Sequence, residues 1–104
     1  MKFINCTPHK IVVNTDGGFI EIEPSGQVAR ISQTNEVVSV IDGIKMFKTK
    51  YGDGVNIPEP QSDTLFIVSA VVKNAYPERN DLVVPTEFVR DEKGNIIACG
   101  GFAL

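Results

Sequence analysis

The residues best suited to do chemistry lie in a polar segment, residues 76–81, between two apolar runs. Arg79 and Asp81 are two positions apart, so in an extended chain both side chains leave the backbone on the same side. Arginine offers a planar, permanently charged fork for phosphate or carboxylate, and aspartate can accept a hydrogen bond from a ribose hydroxyl. Alternatively, Arg79 and Asp81 pair with each other and hold the loop. The pattern leaves both a ligand contact and a structural ion pair open.

A second candidate cluster lies near the start of the chain. Asn5, Thr7 and His9 alternate, so they share one face if this segment is extended. His9 is the only histidine, and any general acid–base role near neutral pH would fall to it, with the Thr7 hydroxyl beside it as a hydrogen-bond donor to a ligand. A nucleophilic site also needs a positioned base and an orienting group, which spacing alone does not establish. No catalytic residue is therefore assigned, and ligand binding or an exposed structural role are the alternatives for His9.

Composition limits the classes of partner. The 104 residues predict one domain, residues 1–104, and thirteen acidic against ten basic residues give a net charge of -3. Without a basic stripe, duplex DNA or RNA is not an expected partner. The chain has no apolar run of about 20 residues and no signal-peptide pattern, so we expect no membrane span and a cytoplasmic location.

The two cysteines and the single histidine do not form a metal-binding motif. A structural zinc site would need paired cysteines or additional histidines at short spacing. We therefore predict neither a metal nor a cofactor, and we interpret Cys6 and Cys99 as small buried hydrophobic residues.

Turn signals recur about every ten residues, which is typical of a β domain built of hairpins. Asp42-Gly43 predicts the clearest hairpin, and a continuous apolar run at 64–68 predicts a central strand. Residues 69–76 form the only plausible helix, ended by Pro77, and an extension of the preceding strand is the alternative. The polar residues 30–36 suggest a corner between strands, and residues 52–62 suggest a loop. Further hairpin turns are expected at 16–18 and 91–94.

These elements predict the fold class. We expect a mainly β protein, α+β at most: a small antiparallel barrel or sandwich built of hairpins with one short helix.

Three segments carry a resemblance to a known group of proteins: Thr7-Pro8-His9, Ile67-Val68-Ser69 and residues 77–85. With an N-x-T-P-H opening, I-V-S, and P-E-R-x-D-L-x-x-P, the chain resembles a family of small phage and prophage proteins of about this length. Compact phage proteins of this size include anti-defence sponges, which bind nucleotide immune messengers and withhold them from host effectors. By that analogy the resemblance implies action in the host cell cytoplasm. It also implies five ligand contacts: Thr7, His9, Ser69, Arg79 and Asp81.

Three functions follow as hypotheses. The first is a homo-oligomeric binding protein that sequesters a small nucleotide-like ligand without turnover, because capture needs no matched acid and base. The second is a phosphodiesterase or lyase that degrades such a messenger, with His9 as acid or base. The third is a structural or protein-binding phage component without a small ligand.

Overall fold

A computed structural model describes all residues from 1 to 104. It contains eight strands and one six-residue helix, which confirms the mainly β prediction. The helix is too short to cross a bilayer. In chain order the elements are β1 (Lys2–Asn5), β2 (Ile11–Thr15), β3 (Gly18–Ile22), β4 (Arg30–Ile41), β5 (Ile44–Val55), β6 (Thr64–Ile67), α1 (Ala70–Ala75), β7 (Leu82–Arg90) and β8 (Ile96–Ala103).

Six strands form one curled sheet in the order β1-β6-β7-β8-β2-β3. The pairs β1–β6, β6–β7 and β2–β8 are parallel, so the sheet is mixed and is not assembled from hairpins alone. Parallel neighbours need a crossover connection, and α1 provides it between β6 and β7. A bridge between Asn5 and Pro24 draws the β1 edge toward the chain that follows β3, so the sheet closes into a half-barrel.

The core lies around β6, as the apolar run at 64–68 predicted. Phe66, Ile67 and Val68 are fully buried, and Leu82 and Val83 of β7 are buried beside them. α1 covers one side with Val72 and begins at Ser69, whose hydroxyl accepts a hydrogen bond from the Val72 amide at 3.3 Å. The helix ends at Ala75, with Tyr76 as its C-cap and Pro77 directly after it. Both cysteines are buried and free, as predicted.

The second sheet is a long hairpin made of β4 and β5 alone, which we call the arm. Its turn is Asp42-Gly43, with φ of 51° and 78°, as the sequence predicted. The corner predicted at residues 30–36 is wrong, because β4 continues through them and pairs with β5, with one register shift between Ile31 and Gln33. A 2.6 Å ion pair between Glu36 and Lys50 spans the two strands there. The predicted loop at 52–62 is correspondingly shorter and starts after Val55.

Candidate functional site

Asn5 organises the segment that follows β1. Its side chain is buried, and its amide nitrogen donates to the carbonyls of His9 at 2.8 Å and Ile22 at 3.1 Å. Its Oδ1 accepts from the Thr7 amide at 2.9 Å and from the Thr7 hydroxyl at 2.6 Å. The Thr7 hydroxyl is thus occupied within the chain. The His9 ring is exposed and makes no hydrogen bond, so this residue contributes only its carbonyl to the cluster.

Arg79 and Asp81 form a two-pronged ion pair. Arg79 Nε lies 2.7 Å from Asp81 Oδ1 and Nη2 lies 2.8 Å from Oδ2, with 18% and 16% of the two side chains exposed. The hydrogen bonds from Arg79 lower the pKa of the Asp81 carboxyl, although partial burial opposes this shift. Nη2 also donates to the Pro58 carbonyl at 2.9 Å. The ion pair therefore ties the 76–81 segment to the loop after β5, and Nη1 is the one guanidinium nitrogen that makes no hydrogen bond within the chain.

The five predicted contacts fall into separate groups. Asn5 is level with Ile67 at the carboxyl end of β6, so Thr7 and Ser69 lie at that end. The Asp81 carbonyl accepts a hydrogen bond from the Phe66 amide at 2.8 Å, so Asp81 lies just before β7, which flanks β6 on the side opposite to β1. Because neighbouring strands lie about 4.8 Å apart, β1 and β7 are about 10 Å from each other across β6. Ser69 is moreover engaged as the helix cap, so the five side chains do not converge on one point within a single chain.

Between these groups lies a concave pocket of about 320 Å³, which we call the amide pocket. Its floor is apolar and its rim carries neutral hydrogen-bonding side chains; no charged residue lines it. No local pattern in the sequence indicates this pocket, because its polar residues lie in connecting segments whose spacing matches no motif. The lining consists of Ile4, Cys6, Ser25, Gln27, Asn56, Ile57, Pro58, Gln61 and Phe66.

One residue from each candidate cluster, Arg79 and Asn5, makes a hydrogen bond to a residue that lines the amide pocket. Arg79 fixes one wall through the Pro58 carbonyl. On the opposite side, the Ser25 amide donates to the Asn5 carbonyl at 2.9 Å. Asn56, with a positive φ of 57°, donates to the Val28 carbonyl at 3.4 Å. Arg79 and Asn5 thus hold residues that line the pocket, although neither of them lines it.

The lining of the amide pocket carries neutral hydrogen-bonding groups. Burial raises the pKa of the Cys6 thiol, and its contact with the Ser25 side chain only partly offsets this, so the thiol stays protonated at neutral pH. Amide side chains at Gln27, Asn56 and Gln61 each offer a donor and an acceptor. Such groups match the edge of a neutral, nitrogen-containing ring.

Comparison of the chain with protein-family models, with curated proteins and with solved structures finds no match.

Proposed function

We propose that this chain is a small phage-type binding protein that sequesters a nucleotide-derived signalling molecule and so counters host defence without turning the molecule over. In this proposal it acts in the host cytoplasm as a homo-oligomer. The observation that carries the proposal is the amide pocket, in which three carboxamide side chains surround an apolar floor.

The size and lining of the pocket fit a nucleobase. A volume of about 320 Å³ is at the lower end of the range for small-molecule sites, which are mostly apolar with a few placed polar groups. Carboxamides can pair in a bidentate way with the hydrogen-bonding edge of adenine. Gln27, Asn56 and Gln61 would read the base, while Ile57 would contact its face.

The phosphate and ribose contacts predicted for Arg79 and Asp81 remain part of the proposal in a modified form. Since the two side chains bind each other, direct contact with a ligand requires the ion pair to open or to use the unpaired Arg79 Nη1. The hydroxyls of Thr7 and Ser69 are likewise engaged within the chain, with Asn5 and with the Val72 amide, so either one would have to share or exchange this partner to contact a ligand. Of the five predicted ligand contacts, only His9 has an exposed side chain without a hydrogen bond in the chain, and it would bond to or stack on the ligand.

The test is to incubate the protein with a panel of cyclic and ADP-ribose-derived nucleotides, remove the unbound fraction, heat-denature the protein and analyse the released material chromatographically. Recovery of an intact nucleotide supports sequestration. A converted product would instead support the phosphodiesterase or lyase alternative, and the absence of any bound nucleotide would favour the structural component.

Variants then place the site. Gln61→Leu keeps side-chain size but removes both hydrogen-bonding groups, and we expect it to weaken binding by about tenfold, the equivalent of one well-formed hydrogen bond. The matched control is Gln33→Leu, which makes the same change at an exposed position of the arm. If both variants bind as tightly as the parent protein, the amide pocket is not the site.

A further inference from the structure

We propose that the arm is a self-association element, whose apolar tip seats in a groove on the body of a second copy of this chain. The tip consists of residues 37–41 and 44–47. This interface would be the one through which the homo-oligomer of the proposed function forms. It does not depend on which ligand the protein binds.

The arm is exposed along almost its whole length. Of its two strands only Ile31, at the root, is even partly buried. At the tip the exposed fractions are 58% for Val38, 66% for Ile44 and 57% for Phe47. The register places Val37 opposite Phe47 on one face and Ile41 opposite Ile44, so both faces of the tip are apolar. An isolated two-stranded hairpin is marginally stable in water, so this one needs a covering surface.

The accessible surface of the chain is larger than that expected for a monomeric protein of its mass. Its accessible surface is 7219 Å². A monomeric protein of 11.3 kDa is expected to expose about 5,700 Å². The surplus of roughly 1,500 Å² exceeds the roughly 800 Å² that each partner buries in a standard stable interface. The radius of gyration, 16.5 Å, likewise exceeds the value of about 13 Å for a domain of this length.

The body offers an apolar groove of about 170 Å³ that can receive the tip. Phe88, Ile96 and Ile97 line it with about half of each side chain exposed, and nothing in the chain covers them. The remaining lining residues are Ile11, Val12, Pro85, Ala98, Cys99 and the single charged residue Lys10, whose ammonium group is paired with Glu21 at 3.1 Å. One chain thus carries both a projecting and a recessed apolar surface.

Charge favours a second copy as the occupant. Between residues 30 and 55 the chain has four basic and three acidic residues, which leaves six basic and ten acidic residues for the body. The arm of one copy is therefore attracted to the body of another. Two arms, both net basic, have no such attraction for each other.

Sedimentation velocity at increasing protein concentration tests the interface. We expect the parent chain to sediment at a multiple of 11.3 kDa. We expect Phe47→Glu in the tip and Phe88→Glu in the groove each to raise the dissociation constant by more than about tenfold. The matched control is Thr49→Glu, two residues along β5 from Phe47 on the same face but outside the tip, which should associate like the parent.

Circular dichroism of every variant checks that the body remains folded. A parent chain that sediments at 11.3 kDa at all concentrations would overturn the proposal. So would a folded Phe47→Glu variant that associates as tightly as Thr49→Glu. Loss of association in Phe47→Glu but not in Phe88→Glu would overturn seating in the groove.

Discussion

The ion pair between Arg79 and Asp81 allows a prediction in which the perturbation changes almost nothing but charge. Asp81→Asn keeps the shape of the side chain, yet it replaces one acceptor oxygen by an amide donor that faces Arg79 Nη2. One charge-assisted hydrogen bond is lost and two donors oppose each other. The pair is mostly, though not fully, buried, so the cost lies below that of a fully buried pair. We expect a loss of about 2 kcal/mol in the free energy of unfolding at pH 7.

The same substitution makes a prediction about pH. The pKa of Asp81 is lowered in the folded chain, mainly by the hydrogen bonds from Arg79, relative to about 3.9 in the unfolded chain. Stabilisation by this group is therefore fully present above about pH 4 and is lost as the pH falls through the folded value. Below that value the parent carboxyl is protonated and resembles the amide of the variant. The difference in stability between parent and variant should then shrink toward zero.

Urea unfolding at pH 7 and in the acid range measures both effects. Asp91 also has a lowered pKa, chiefly because of the Asn95 backbone, but it is present in parent and variant alike and cancels in the comparison. The control Glu78→Gln removes one negative charge from the same segment at an exposed position without hydrogen bonds. If Asp81→Asn costs no more than this control at pH 7, or costs as much in acid as at pH 7, the stabilising role of the pair is refuted.

Three further predictions concern other parts of the fold. Asn5→Ala should lower the free energy of unfolding by about 3 kcal/mol, because it removes four hydrogen bonds around a buried amide. Thermal unfolding should show a lower Tm, and an unchanged Tm would contradict the role of Asn5 in organising this segment. Gly43→Ala places a side chain at a φ of 78° and should destabilise the arm turn by about 1 kcal/mol, seen as faster amide hydrogen exchange in the arm and unchanged exchange in β6. Cys6 should react with iodoacetamide at pH 8 much more slowly in the folded than in the urea-unfolded protein, since burial both shields the thiol and raises its pKa; equal rates would contradict this.

The fold class could be predicted because its signals are local. The Asp42-Gly43 turn, the apolar run of β6 and the Ser69 cap each depend on a few neighbouring residues. The parallel pairing of β1 with β6 could not be predicted, since it joins segments about sixty residues apart and leaves no local pattern. The length of the arm was also missed. Because both of its faces are exposed, residues 30–36 lack the alternation of apolar and polar residues that marks a half-buried strand.

The site was predictable only in part. The pairing of Arg79 with Asp81 was one of two alternatives that the spacing allowed, and it is the arrangement observed. The amide pocket could not be predicted, because Gln27 comes from the connection after β3 and Asn56 and Gln61 come from the connection after β5, and the meeting of these two connections depends on the tertiary fold. Glutamine and asparagine are also common in solvated loops, so their presence there carries no signal by itself.

The insertion of the arm between β3 and β6 has a consequence for how the chain folds and varies. Pairing of Lys2 with Thr64 must close a loop of about sixty residues. The arm brings Arg30 and Val55 side by side, so once it forms, the effective loop is shorter and its closure costs about 0.5 kcal/mol less. The gain is small, which means that the body does not rely on the arm to close. An insertion whose ends are neighbours can therefore lengthen, shorten or change sequence over evolution while the half-barrel and its pocket keep their geometry.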